Sequence, residues 1–128
     1  MNRPTRASIS LPAILSNLRL ARSLTPLSPT IAVVKSDAYG HGAIRVASYL
    51  ADYTDAFGTT SLKEALALRT AGVMKPILLL EGFFNASEIP LIVEHQFWIT
   101  VHCDEQIKSL AETPANSRLH VFLSLIHI

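Results

Sequence analysis

Lys35 ends a run of apolar residues, Ile31 to Val34, and Tyr39 follows it in the stretch IAVVKSDAYGHG. A lysine amine stripped of water and set near other charge has a lowered pKa and a lone pair free to form a Schiff base with a carbonyl. Such an amine needs a rigid mount and a local partner. The strand predicted over Thr30 to Lys35 supplies the mount, and Tyr39 supplies the partner if residues 36–39 curl through a turn. The plain alternatives are a lysine snorkelling past a sheet rim to water and an amphipathic tyrosine at the same rim. Position alone does not separate the two.

The other residue types capable of chemistry are less well placed. GHGAIR, from Gly40 to Arg45, nearly begins a dinucleotide fingerprint, but Arg45 stands where the third glycine belongs. No Gly-Lys-Ser/Thr ending makes a phosphate loop of it. Two glycines before a helix leave a small phosphate as an open reading. His95, His102 and Cys103 are close in sequence, yet adjacent strand residues point to opposite faces and zinc needs convergent ligands. Cys103 reads as a small buried residue, and Glu81 as a paired charge at the end of an apolar run. No Ser-His-Asp arrangement can be argued.

The elements that must position Lys35 alternate regularly. A short strand is expected at Ala7–Ser10, then a helix opening near Pro12, with Leu11, Ile14, Leu15, Leu18 and Ala21 at helical spacing. Helices are expected at Ala43–Ala51, Ser61–Ala71, Ser87–Glu94 and Asp104–Ala111. Strands are expected at Ala56–Thr60, Ile77–Glu81, Phe97–His102 and from Leu119 onward. Ser61 and Glu64 are spaced as a capping box, and Gly72 stands at that helix's exit. Strand and helix alternating at about twenty residues is the signature of βαβ units around a parallel sheet. Right-handed crossovers leave two architectures, an open doubly wound sheet or the start of a (β/α) barrel. In both, ligands sit at the carboxyl ends of the strands, where Lys35, Thr60, Glu81 and His102 fall.

Composition narrows the partners. The 128 residues are 49% hydrophobic and 16% charged, enough to bury a core, and the net charge is +1. No basic stripe with interleaved aromatics suggests nucleic acid. No apolar run approaches the ~18–20 residues of a membrane span. The single cysteine allows no intrachain disulfide and fits a reducing, cytoplasmic setting. Arg3, Arg6, Arg19 and Arg22 precede the first acidic residue, Asp37, which has the flavour of an organelle transit peptide. The strand and helix already described are the preferred reading of that region.

VVKSDAYGHG resembles the pyridoxal-phosphate attachment motif of alanine racemases. RASISLPAILSNLRLAR is similar to that family's opening strand and helix. SLKEALALRTAGVMKPILLLEGFF resembles its second-to-third strand region, and FWITVHCDEQ its next strand. LEGFF and HQFW resemble the catabolic, proteobacterial branch. The resemblance implies the N-terminal portion of a (β/α)8 TIM barrel, incomplete at about four to five parallel strands, with residues 1–122 a partial barrel domain and the C-terminal β-domain absent. It implies interconversion of L-alanine and D-alanine by a cytoplasmic homodimer carrying pyridoxal 5'-phosphate. Lys35 corresponds to the lysine that holds the cofactor covalently and serves as one of two catalytic bases. Tyr39 corresponds to the tyrosine that hydrogen-bonds the cofactor phosphate, and Leu80 to an apolar residue near the cofactor ring. Ser36 and Asp37 replace the commoner Ala-Asn or Ala-Asp pair.

The resemblance also marks what lies outside the chain. The family's second base is a tyrosine from the partner subunit's β-domain, and an arginine pairs with the pyridine nitrogen. Where the family continues with Lys-Met-Asp, this chain reads Ser124-Leu-Ile-His-Ile. Leu123–Ile128 can be a natural final strand. It is also the in-frame translation of a transposon-end adapter, and the expectation is a non-native tail over 123–128. The rival function, from another class, is a non-catalytic pyridoxal-phosphate-binding barrel protein.

Overall fold

A computed structural model describes residues 4–114 and 116–127. Helix α1 (Leu11–Leu24) opens the fold with Ser10 as its cap, the Ser10 hydroxyl accepting from the Ala13 N–H at 3.3 Å. Pro12 sits in its first turn, where the missing N–H costs nothing. The strand expected at Ala7–Ser10 is absent. Residues 7–10 are exposed and unpaired, and an extended segment with no neighbouring sheet edge has nowhere to place its backbone hydrogen bonds.

Five strands follow: β1 (Ile31–Val33), β2 (Ala56–Thr59), β3 (Ile77–Leu79), β4 (Trp98–Val101) and β5 (Val121–Leu123). All pairings are parallel, and the spatial order is the chain order, β1-β2-β3-β4-β5. This order decides between the two architectures. A doubly wound sheet reverses its strand order partway, whereas a barrel adds each strand beside the last. The sheet is the opening arc of a barrel.

One face of the sheet packs on helices. Phe57, Thr59, Ile77, Leu79, Ile99 and Val101 lie on it and are essentially inaccessible. Helices α3 (Ala43–Leu50), α4 (Leu62–Thr70) and α5 (Ile89–Glu94) cover this face with Ala47, Leu50, Ala65, Leu68 and Ile92. β2 and β3 are buried along their whole length, and β3 reads as continuous apolar text, as central parallel strands do. Helix α6 (Asp104–Ala111) follows β4. The outer strands are barer: Val33 on β1 and all three residues of β5 are exposed. Among the described residues no helix is long and apolar enough to cross a membrane.

Arg69 links the second and third βα units. Its guanidinium donates to the carbonyls of Val73 (2.6 Å), Lys75 (3.0 Å) and His95 (3.2 Å) and lies 5.2 Å from the Phe97 ring centre. Burial lowers its pKa, but a guanidinium stays charged, so all three carbonyls keep a cationic donor. The single salt bridge among the described residues, Arg22 to Asp55 at 2.7 Å, ties α1 to the entry of β2. The same Asp55 oxygen accepts from the Thr30 N–H at 2.7 Å.

Candidate active site at the carboxyl end of the first strand

The expected strand over Thr30–Lys35 is shorter than its apolar text. The Val34 N–H still donates to the Gly58 carbonyl at 2.9 Å, prolonging the pairing with β2 by one residue. Val34 then turns into the core at 2% exposure, and Lys35 comes after it at the rim, half-buried. Lys35 therefore heads a new segment, α2 (Lys35–Gly40), rather than ending the strand.

That segment is left-handed. Ser36, Asp37, Ala38 and Tyr39 have φ of 52 to 55° and ψ of 37 to 51°. Four consecutive non-glycine residues in this region are rare, because each Cβ crowds the following carbonyl at roughly 1–2 kcal/mol per residue. Strain on the order of 4–8 kcal/mol persists only where surroundings over-determine it, and such places cluster at functional sites.

The surroundings here are specific. The Ala38 N–H donates to the Val34 carbonyl (2.9 Å), His41 N–H to Ala38 (3.1 Å) and Gly42 N–H to Asp37 (2.9 Å). The Asp37 carboxylate accepts from the Ala43 N–H at 2.8 Å. The His41 Nδ1 lies 3.0 Å from the Ala38 carbonyl. Gly40 and Gly42, at φ 83° and 90°, carry the chain out of the turn into α3. The small-phosphate reading of these glycines is thereby corrected: Asp37 occupies the Gly42 and Ala43 N–H groups with its own carbonyl and carboxylate.

A further tie comes from α4. Ser61 caps this helix as expected, accepting from the Glu64 N–H at 3.3 Å. The Glu64 carboxylate also reaches past this cap to the exits of two strands. Its Oε2 accepts from the Thr60 N–H and hydroxyl, both at 3.0 Å, and its Oε1 accepts from the Ser36 N–H at 2.7 Å. Burial pushes the Glu64 carboxyl up, but the donors from Thr60 and Ser36 outweigh it and leave the pKa below the ordinary glutamate value.

The left-handed turn brings Lys35 and Tyr39 together, with the amine 5.9 Å from the centre of the tyrosine ring. Among the described residues no carboxylate forms a salt bridge with Lys35. Leu80 is not part of that pair. It sits one residue past β3, its N–H donating to the Thr59 carbonyl at 2.8 Å. Its Cδ1 lies 3.6 Å from where a Cβ on Gly58 would stand, and that position also faces Ile31 and Val33 at 3.4 Å. Gly58, lacking a side chain, lets Leu80 of the third unit lie over β2 toward the first. Leu80 thus belongs to the barrel-side floor below the Lys35 rim.

Further along the rim, Gly82 turns the chain out of β3 at φ 72°. The buried Gln106 fastens this turn: its Nε2 donates to the carbonyls of Glu81 (3.0 Å) and Phe83 (3.2 Å), and its Oε1 accepts from the His102 N–H (2.8 Å). Glu81, expected to be a paired charge, is exposed and forms no salt bridge among the described residues. Cys103, expected to be buried, is half-exposed.

A parallel sheet wound in chain order, with a half-buried lysine at the mouth of its first strand, defines the opening segment of a (β/α)-barrel domain. The chain belongs to the family of the alanine racemase N-terminal domain, whose model matches residues 9–126. It is 50% identical over 123 residues to the catabolic alanine racemase of Pseudomonas putida, covering 96% of this chain and 34% of that protein. The chain therefore spans about a third of the length of the curated relatives it matches. Among solved structures it is similar to the biosynthetic alanine racemase of Pseudomonas aeruginosa, with TM-score 0.82 and 37% identity over 87% of this chain and 31% of that one. It is also similar to a histidine racemase from Leuconostoc mesenteroides, with TM-score 0.77 and 30% identity over 94% of this chain and 34% of that one.

Proposed function

We propose that the chain is the first part of the barrel of a pyridoxal 5'-phosphate-dependent alanine racemase, with Lys35 as the cofactor lysine. The observation that carries this reading is the Lys35 amine, half-buried at the carboxyl end of β1, beside Tyr39 and without an acidic partner among the described residues. Such an amine suits an aldehyde better than an ion-paired lysine would, because a carboxylate partner stabilises the protonated ammonium, which has no lone pair to give. Tyr39, exposed and only one turn away, has its hydroxyl available for a phosphate, and Leu80 offers an apolar surface below. These residues fit the group.

When bound, pyridoxal phosphate supplies an electron sink for the charge left when an amino acid loses its α-proton. Racemisation takes and returns that proton on opposite faces of the α-carbon, so it needs a base on each face. Lys35 serves one face. The other base, the arginine facing the pyridine nitrogen and the remaining phosphate donors come from outside these residues, in a homodimer. A cytoplasmic setting is supported by the single cysteine. In this reading residues 1–122 are a partial barrel domain and 123–128 a non-native tail.

The reading is tested by incubating the chain with pyridoxal phosphate, reducing with borohydride and mapping the labelled peptides. Label concentrated at Lys35 over Lys63, Lys75 and Lys108 supports it; uniform label, or none, overturns it. The 128-residue chain alone is expected not to interconvert L- and D-alanine. The likeness to a histidine racemase makes substrate choice a separate question, answered by comparing alanine with histidine in the full-length enzyme.

A further inference from the structure

We propose that Glu64 is a positioning residue for Lys35, holding the left-handed turn that presents the amine; this rests on Lys35 being the cofactor lysine. Among the described residues, Glu64 is the one side chain that binds the exits of both β1 and β2. Its two carboxylate oxygens divide the work, Oε1 taking the Ser36 N–H and Oε2 the Thr60 N–H and hydroxyl. The Ser36 amide is the first after Lys35, so the carboxylate fixes the peptide plane from which the lysine side chain departs. A helical turn cannot satisfy its own first N–H groups, and those ties within α2 begin only at the Ala38 N–H. The Ser36 amide must find its partner across the fold.

A carboxylate is the group this geometry requires. Three donors converge on it, and an ionised carboxylate accepts at both oxygens without presenting a hydrogen. Glutamine has the same size but offers one acceptor and one NH2 group. Turned with its NH2 group toward Ser36 it loses the tie to β1; turned the other way it sets an N–H against the Thr60 N–H and keeps only the Thr60 hydroxyl, so the hold on one strand exit is lost or weakened. The Ser61 hydroxyl cap is kept, since it accepts from the Glu64 backbone N–H rather than from the side chain.

The test uses the 128-residue chain with Glu64→Gln, and Glu88→Gln as a control. Glu88 holds a comparable capping contact to the Phe84 and Asn85 N–H groups, away from Lys35. Far-UV circular dichroism establishes that each variant is folded. In the 15N-labelled wild type the amide signals of Ser36 and Thr60 are expected to follow one common titration, which disappears in Glu64→Gln; a Ser36 signal indifferent to that titration overturns the proposal. With pyridoxal phosphate and borohydride, labelling of Lys35 is expected to slow about tenfold in Glu64→Gln, the loss of one charged hydrogen bond, and to be unchanged in Glu88→Gln. Preferential wild-type labelling of Lys35 that persists at full rate in Glu64→Gln overturns the role of Glu64 alone. Absence of preferential labelling in the wild type overturns the cofactor reading, and with it the service Glu64 performs for that lysine.

Discussion

Lys35 and Tyr39 face each other across a left-handed turn, amine to ring centre 5.9 Å, the approach expected if residues 36–39 curl through a turn, though by a handedness the sequence does not announce. The ring and the hydroxyl have separable tasks. Tyr39→Phe keeps the ring beside the amine and removes only the hydroxyl. Its expected effect is a roughly tenfold weaker affinity for pyridoxal phosphate, the scale of one hydrogen bond to a charged group. An absorbance titration measures it, and unaltered affinity would remove Tyr39 from the phosphate site.

Gly82 is the glycine least open to change. A Cβ there would stand 2.3 Å from the Thr100 carbonyl oxygen and 2.7 Å from the Gln106 Nε2, on a backbone already at φ 72°. Backbone does not yield as a flexible side chain does. Gly82→Ala is expected to cost about 2 kcal/mol or more in urea unfolding. A loss below ~0.5 kcal/mol, the usual range of a neutral surface change, would contradict the clash.

Thr59 runs the other way. Its Oγ1 is fully buried and finds no hydrogen-bond partner among the described residues. Thr59→Val keeps the shape, removes the orphaned hydroxyl and suits a strand. It is expected to stabilise the chain by about 1 kcal/mol. Destabilisation would mean that the hydroxyl has a partner in solution.

Acid should weaken the fold through two carboxylates. Asp55 is held below the ordinary aspartate value by the Thr30 N–H and then by the Arg22 guanidinium. Glu64 is held below the ordinary glutamate value, its donors outweighing the opposing effect of burial. A depressed native pKa means stability present above the unfolded value and lost as pH falls through the native one. The urea midpoint should therefore hold near neutrality and decline below about pH 5. In Asp55→Asn with Glu64→Gln that decline should be shallower. An equally steep acid limb in the double variant would place the loss elsewhere.

Much of the architecture was legible because its signals are local. Ser61 before an apolar helix, the β-branched run at Ile31–Val34 and the regular alternation of elements each announce themselves within a few residues. The motif around Lys35 was legible for the same reason. What could not be read is non-local. Ser36, Asp37, Ala38 and Tyr39 carry no mark of a left-handed path, which is imposed by the Val34 carbonyl, the flanking glycines and a carboxylate 28 residues away. Glu64 was read as half of a capping box, its ordinary task at that spacing, and its contact with Ser36 exists only once β1 and β2 are paired. Asn85 and Glu88 also stand at capping-box spacing, a local signal, and form that box, opening a 3-10 turn at Ala86–Glu88 ahead of α5. At Ala7–Ser10 the error was opposite in kind, since strand-like text makes no strand without an edge to join.

Strand order and chain order coincide in this sheet. For a polypeptide emerging from the ribosome at about 5–20 residues per second, each new strand meets as its neighbour the one made just before it. Among these five strands none waits for a distant partner, so loop closures stay shorter than a reversed strand order would demand. The arc can grow by accretion during synthesis, one βα unit at a time, with the Lys35 turn locked as soon as the second unit delivers Glu64.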